Sequence, residues 1–227
     1  MKEPLDLLRE FWKYDAFRSP QDEIIDANLS GQDVLALLPT GAGKSICYQI
    51  PAIARDGVCI VISPLIALMK DQVQQLKKRG VNASAIFSGM KEPEIDKVLN
   101  NCASGHTQLL YVSPERLASN RFLIGLKTLP VSMIAVDEAH CISQWGFDFR
   151  PSYRNIASIR EYFPDIPIIA LTASATPKVQ DDIVQSLNLK KNVKIFKSSF
   201  ERTNISFVVR QHSSKPEKML EILKKVN

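Results

Sequence analysis

The chain has 227 residues, 45% of them hydrophobic, which is enough for one large domain or for one domain plus the start of another. Its 29 Lys and Arg against 24 Asp and Glu leave a formal net charge of +5, a balance that fits a polyanionic partner without requiring one. No apolar run is long enough for a membrane span, and the Met1-Lys2-Glu3-Pro4 start lacks a signal-peptide core, so no membrane partner is expected. Cys47, Cys59, Cys102 and Cys141 form no CxxC pair, and His106, His140 and His212 are scattered, so the pattern predicts core thiols in a reducing compartment and no zinc cluster.

In chain order, Leu5, Leu7, Leu8, Phe11 and Trp12 predict a short amphipathic helix, and Ser19-Pro20 followed by Gln21, Asp22 and Glu23 reads as the start of another. Strand-like apolar runs follow at 34–38, 58–62, 109–112, 133–136 and 168–171, with helical patterns between them, clearest at 65–78 and 177–187. This alternation predicts a three-layer α/β domain around a mostly parallel sheet, with sites beyond the carboxyl ends of the strands. Near Phe200 the pattern changes: 205–209 reads as a strand, 215–226 as a basic helix, and no second core follows. The expected division is a domain over 1–205 and the beginning of a second unit over 206–227.

Chemistry concentrates after the strands. Pro39-Thr40-Gly41-Ala42-Gly43-Lys44-Ser45 joins the first apolar run to a helix. Its glycines allow a tight backbone whose N–H groups face an anion; Lys44 reaches β/γ-phosphates and Ser45 holds Mg²⁺. The phosphate-loop pattern has Gly where this chain has Leu38, but the TGxGKS core is intact. Asp137-Glu138-Ala139-His140 closes the fourth strand, where an acid would hold a nucleotide-bound metal. Two such sites in this order make ATP use the leading reading. The following segment carries Gln144, Trp145, Gly146, Phe147, Phe149 and Arg150, a mixture of stacking surfaces and a cation suited to single-stranded nucleic acid, although an aromatic cluster under a loop is the plain competing role.

Together these motifs resemble the first ATPase lobe of RecQ-family DNA helicases, within the wider DEAD/DEAH-like group, over residues 5–205. Tyr14-Asp15-Ala16-Phe17-Arg18-Ser19-Pro20-Gln21 is similar to the family's adenine-recognition motif. The resemblance implies that Tyr14 and Arg18 flank the base and that Gln21 reads its edge. It also implies that Thr40, Gly41, Ala42, Gly43, Lys44 and Ser45 bind nucleotide, that Ser45 and Asp137 hold Mg²⁺, and that Lys44, Asp137 and Glu138 are catalytic. Ile62-Ser63-Pro64-Leu65 and Tyr111-Val112-Ser113-Pro114 resemble strand-binding motifs, in which Ser63 and Ser113 would donate to phosphates; each Ser-Pro pair could equally start a helix. Trp145, Phe147, Phe149 and Arg150 would contact DNA. Ala170-Leu171-Thr172-Ala173-Ser174-Ala175-Thr176 resembles the motif that couples hydrolysis to strand movement, with Gln144, Thr172 and Thr176 as coupling residues; an N-cap at Thr176 is the local alternative. Phe200-Glu201-Arg202-Thr203-Asn204-Ile205 resembles the exit segment of this lobe. The commonest family pattern has His where this chain has Phe147, Gly where it has Lys13, and Pro-Gly where it has Ser19-Pro20.

The resemblance implies ATP and Mg²⁺ as cofactors, single-stranded and partly duplex DNA as partner, and a 3′ to 5′ helicase acting in DNA repair and recombination. Location would be cytoplasmic and nucleoid-associated in a bacterium or nuclear in a eukaryote. The second lobe and its arginine are expected to lie outside this chain, leaving a monomeric fragment with little activity of its own. A nucleic-acid-binding module with a vestigial nucleotide site, or an RNA helicase lobe, are the competing functional readings.

Overall fold

The computed structural model describes residues 2–146, 148–198 and 214–226. Seven strands form one sheet: β1 (Val34–Leu37), β2 (Val58–Ile62), β3 (Ala83–Ile86), β4 (Leu109–Val112), β5 (Val131–Val136), β6 (Ile168–Thr172) and β7 (Lys194–Lys197). Their order is β3-β4-β2-β5-β6-β1-β7, and every neighbouring pair is parallel. The carboxyl ends therefore share one edge, as the strand–helix alternation predicts.

The interior strands are continuous apolar runs because helices cover both faces. Alternate side chains divide between two layers: Leu35, Ile60 and Ile134 enter one, and Ala36, Val61 and Ala135 the other. Helices α1 (Pro4–Leu7), α2 (Gln21–Leu29), α3 (Lys44–Ala54) and α4 (Ile66–Lys78) contribute Leu7, Ile24, Ile50 and Met69 to the second layer. Helices α5 (Glu92–Ala103), α6 (Asn120–Lys127), α7 (Ile159–Tyr162) and α8 (Pro177–Ser186) contribute Ile95, Leu123, Ile159 and Ile183 to the first. Helix α9 (Lys215–Val226) carries Met219, Leu220, Ile222 and Leu223 with exposed side chains. No helix among the described residues is long and apolar enough to cross a membrane.

All five expected strands are present. β1 stops one residue early, at Leu37, and β5 begins at Val131 rather than 133. The strands that the sequence pattern missed, β3 and β7, are the two edges of the sheet among the described residues. An edge strand is covered less completely and its composition is diluted accordingly: Ala83-Ser84-Ala85-Ile86 and Lys194-Ile195-Phe196-Lys197 lack an apolar run. The expected domain boundary at 205/206, the strand at 205–209 and the exit segment at 200–205 fall outside the described residues.

At the opposite end of the sheet, Asp33 precedes β1 and is fully buried. Its carboxylate pairs with Arg160 and accepts hydrogen bonds from Ile168 N and Lys190 N, both at 2.8 Å. Its carbonyl accepts from Lys194 N at 2.9 Å. One residue thus joins the starts of β1, β6 and β7. Asp33→Ala would strand the buried Arg160 charge and two backbone donors, and should cost about 3–5 kcal/mol in equilibrium denaturant unfolding. A loss below about 1 kcal/mol, the scale of an exposed pair, would show that this junction does not hold the sheet.

Candidate functional site

β1 leads through residues 38–43 into α3, whose first residue is Lys44. Gly41 and Gly43 have φ of +86° and +76°, a region that side chains rarely adopt. A Cβ on Gly43 would also lie 2.5 Å from Gln21 Nε2. That close approach exists because the buried Gln21 latches the loop. It donates to Ala42 O at 2.9 Å and, at longer range, to Gly43 O at 3.4 Å, while its Oε1 accepts from Arg18 N at 3.0 Å. Arg18 Nη1 donates to Gly41 O at 3.3 Å. A cavity of about 530 Å³ opens beside this junction, lined among others by Tyr14, Arg18, Gln21, Gly41, Gly43 and Ile46. The adenine-motif residues and the glycines of the loop therefore do meet. Thr40 is exposed, whereas Ala42, Lys44 and Ser45 are half-buried, and Lys44 Nζ turns back to Leu38 O at 3.5 Å. A glycine N-cap has no side chain to cap the first turn of α3, which leaves an anion to satisfy those N–H groups.

The acidic box sits at the tip of β5. Asp137 N donates to Ile62 O at 2.9 Å, and Tyr153 Oη donates to Asp137 O at 2.8 Å, so the turn is tied to β2 and to the chain beyond the aromatic segment. Burial, and after it the charge of Glu138, pushes the Asp137 carboxyl up from 3.8 to about 6; the Lys44 ammonium acts in the opposite direction. A buried carboxylate of this kind is short of positive charge, and with the Ser45 hydroxyl it offers the hard oxygen donors that Mg²⁺ takes. Glu138 has φ 47° and ψ 46°, a left-handed conformation uncommon for glutamate. His140 Nδ1 shares a hydrogen bond with Thr172 Oγ1 at 2.8 Å and lies 3.4 Å from Glu138 Oε2.

Thr172 ends β6, the strand between β5 and β1, so the expected coupling residue touches the acidic box directly. Thr176 Oγ1 accepts from Val179 N at 3.4 Å and is the N-cap of α8, the local alternative weighed from sequence.

After the box, the chain folds back tightly. A Cβ on Gly146 would lie 2.9 Å from His140 O, and Arg150 N donates to Cys141 O at 2.9 Å. Gln144 is exposed. Trp145 is 64% exposed, with Lys178 Nζ 3.1 Å from its ring centroid, a cation–π contact that joins the segment to α8. Phe149 carries the Arg154 guanidinium 5.2 Å above its ring. Arg150 donates to Asp148 Oδ2 at 3.1 Å and to Pro64 O at 3.3 Å, linking the segment to the loop after β2. Phe147 lies outside the described residues. Ser63 and Ser113, at the tips of neighbouring β2 and β4, are buried, and their hydroxyls have no hydrogen-bond partner among the described residues. Arg116 braces the chain after β3, donating to Phe87 O at 3.0 Å and Met90 O at 2.8 Å.

Several side chains that brace this edge carry no signal in the sequence. Tyr153 and Lys178 lie well beyond the motifs that they contact. The hydroxyls of Tyr48 and Tyr111 meet at 3.2 Å, and Gln49 bonds Tyr111 Oη at 3.2 Å and Gln72 Oε1 at 2.9 Å, a polar seam between α3, β4 and α4. No local signal marks such a seam, because each member reads alone as an ordinary helix or strand residue. The scattered histidines and cysteines do come partly together in space. His140, Cys141 and Asp148 bring one ligand atom each to within 4.8 Å of one another, because the turn at Gly146 reverses the chain.

A phosphate-type loop after β1, an acidic box on β5 and a threonine between them on a seven-stranded parallel sheet define a RecA-like P-loop NTPase lobe. The chain belongs to the DEAD/DEAH box helicase family, whose sequence profile matches residues 18–183, and corresponds to the first RecA-like lobe of the RecQ type. It is 47% identical over 207 residues to the ATP-dependent DNA helicase RecQ of Haemophilus influenzae, covering 91% of this chain and 33% of that protein. To RecQ of Bacillus subtilis it is 49% identical over 205 residues, 89% of this chain and 34% of the relative. The chain thus spans about a third of the length of these curated relatives. The crystal structure of helicase MrfA bound to DNA superposes with a TM-score of 0.69 at 16% identity, over 87% of this chain and 30% of that one, a likeness of fold.

The raised Asp137 carboxyl has a measurable consequence. The folded state holds this proton more tightly than the unfolded chain does, so ionising Asp137 costs stability above about pH 6, and the cost fades as pH falls toward 3.8. Asp137→Asn should therefore raise the melting temperature of the nucleotide-free protein by about 2–6 °C at pH 7.5, with the gain shrinking through pH 6 and gone near pH 4. Calorimetric scans across this range provide the check; a gain that does not vary with pH, or a loss at pH 7.5, would contradict it.

Proposed function

We propose that this chain is the ATP-binding lobe of a 3′ to 5′ DNA helicase acting in repair and recombination. The observation that carries the reading is the convergence of the phosphate-type loop and the acidic box on either side of β6, with the aromatic segment directly beyond them.

In this reading Tyr14 and Arg18 flank the adenine over the cavity beside the loop. Gln21 combines two tasks. An amide has two donor hydrogens and two acceptor lone pairs, and the latch uses one of each well, leaving capacity to read the base edge. Thr40, Gly41, Ala42 and Gly43 shape the cradle. Lys44 leaves Leu38 O and turns to the phosphates, exchanging a weak carbonyl contact for a charge-assisted one. Ser45 and Asp137 would hold Mg²⁺, which supplies positive charge against the phosphate oxygens when bound. Glu138, aimed by its left-handed backbone and steadied by His140, orients the attacking water and takes its proton.

Trp145, Phe147, Phe149 and Arg150 form the stacking and charged surface for single-stranded DNA. Gln144, Thr172 and Thr176 link that surface to the acidic box. The buried Ser63 and Ser113 sit beneath this edge, so a direct phosphate contact from either requires the strand tips to open. A second lobe would close over the nucleotide and supply an arginine to the developing charge; an isolated lobe therefore turns over slowly and does not unwind.

Titration calorimetry tests the nucleotide site. Lys44→Ala should weaken Mg·ATP binding at least about tenfold, the scale of one charge-assisted contact. Affinity of the parent protein should fall as pH drops through about 6, where a proton competes with the cation for Asp137. Equal affinity of parent and variant would place phosphate binding elsewhere.

A further inference from the structure

Three ligand atoms of different chemistry meet on the side of His140 turned away from Thr172. His140 Nε2 lies 3.8 Å from Cys141 Sγ, and Cys141 Sγ lies 3.7 Å from Asp148 Oδ2. Zinc bonds of about 2.0–2.3 Å in tetrahedral geometry set such atoms about 3.3–3.6 Å apart, so these two edges need to close by only a few tenths of an ångström, while the third, between His140 and Asp148, lies within 4.8 Å and closes as Asp148 swings inward. The Asp148 side chain is 55% exposed and able to make that shift. The backbone is already clamped around the cluster by Arg150 N on Cys141 O and by the close turn at Gly146.

The far side of the imidazole favours the same outcome. Thr172 Oγ1 donates to Ser174 O at 3.1 Å, which uses its single proton, so the 2.8 Å contact with His140 is made by an Nδ1–H. That tautomer leaves the Nε2 lone pair facing the sulfur. An outer hydrogen bond that fixes the ring in this way is the usual support of a metal-ligating histidine. We propose that His140, Cys141 and Asp148 form a three-ligand site for a late divalent cation, zinc above all, with water in the fourth position. The mixed thiolate, imidazole and carboxylate set selects zinc over Mg²⁺ or Ca²⁺.

Burial, followed by the Asp148 charge, pushes the Cys141 thiol up to about 12, so the thiol is protonated at neutral pH and the metal displaces its proton to solvent. Asp148 exchanges Arg150 for the cation, and Arg150 keeps its bond to Pro64 O. The occupied site would tie the acidic box to the segment at 144–150. It shares His140 with the acidic box, but none of its ligands is on the phosphate loop or is Asp137, so a failure of the Lys44→Ala test leaves the cobalt titration to decide it separately.

Cobalt titration of the metal-free chain tests the proposal. One equivalent of Co²⁺ should produce a sulfur-to-cobalt charge-transfer band and the visible bands of four-coordinate cobalt, both removed by added Zn²⁺. Cys141→Ser should abolish the charge-transfer band. Asp148→Asn, at an exposed position that leaves the fold intact, should keep the band but weaken affinity roughly tenfold or more. Binding should release one proton. Absence of the band from the parent chain, its survival in Cys141→Ser, or an unchanged affinity in Asp148→Asn would each overturn the assignment.

Discussion

Thr172 is the contact on which the working edge of this molecule depends. Its carbonyl accepts from Leu38 N at 3.0 Å, where β1 turns into the phosphate-type loop, and its hydroxyl meets His140 Nδ1 at 2.8 Å in the acidic box. β6 can make both contacts because it lies between β1 and β5. A parallel sheet places all three tips on one edge, and the strand order puts a hydroxyl where the two halves of the site meet. Moving β6 elsewhere in the sheet would leave the loop and the box with no shared residue.

The two ends of the sheet are built on opposite principles. At the amino end Asp33 is buried and satisfied by Arg160, Ile168 N and Lys190 N, a locked junction. At the carboxyl end the chain holds a left-handed Glu138, a buried Asp137 with a raised pKa, two buried serine hydroxyls without partners among the described residues, and a glycine pressed against Gln21. Such features are individually unfavourable and collect where a ligand is to be met. The rigid end allows the other to hold these features unsatisfied, as the proposed nucleotide and nucleic-acid sites require.

Much of this was legible in the sequence. The interior strands announced themselves because burial on both faces demands unbroken apolar runs, as in Val58-Cys59-Ile60-Val61-Ile62. Lys44 and Asp137 stand in short motifs that follow apolar runs, and Thr172 drew notice through the resemblance of 170–176 to a helicase motif; the fold brings the tips of all three strands to one edge. The edge strands β3 and β7 stayed hidden, since edges tolerate Ser and Lys. Three-dimensional partnerships left no trace either: the resemblance singled out Gln21 for the base, but not its latch to Ala42 O, and Lys178 reads as a solvated residue until Trp145 lies beneath it. Cys141 and Asp148 are far apart as sequence spacings for a metal go, and only the turn at Gly146 unites them.

If Thr172 joins the two halves of the edge, nucleotide and DNA affinities must be linked through it, and linkage is reciprocal. The direct measurement is the single-stranded DNA affinity of the full-length protein with and without a non-hydrolysable Mg·ATP analogue, for the parent and for Thr172→Val. The account predicts that the analogue changes DNA affinity at least about fivefold in the parent, and that Thr172→Val binds each ligand separately but loses that change. A variant that keeps the full nucleotide-dependent change in DNA affinity would contradict it.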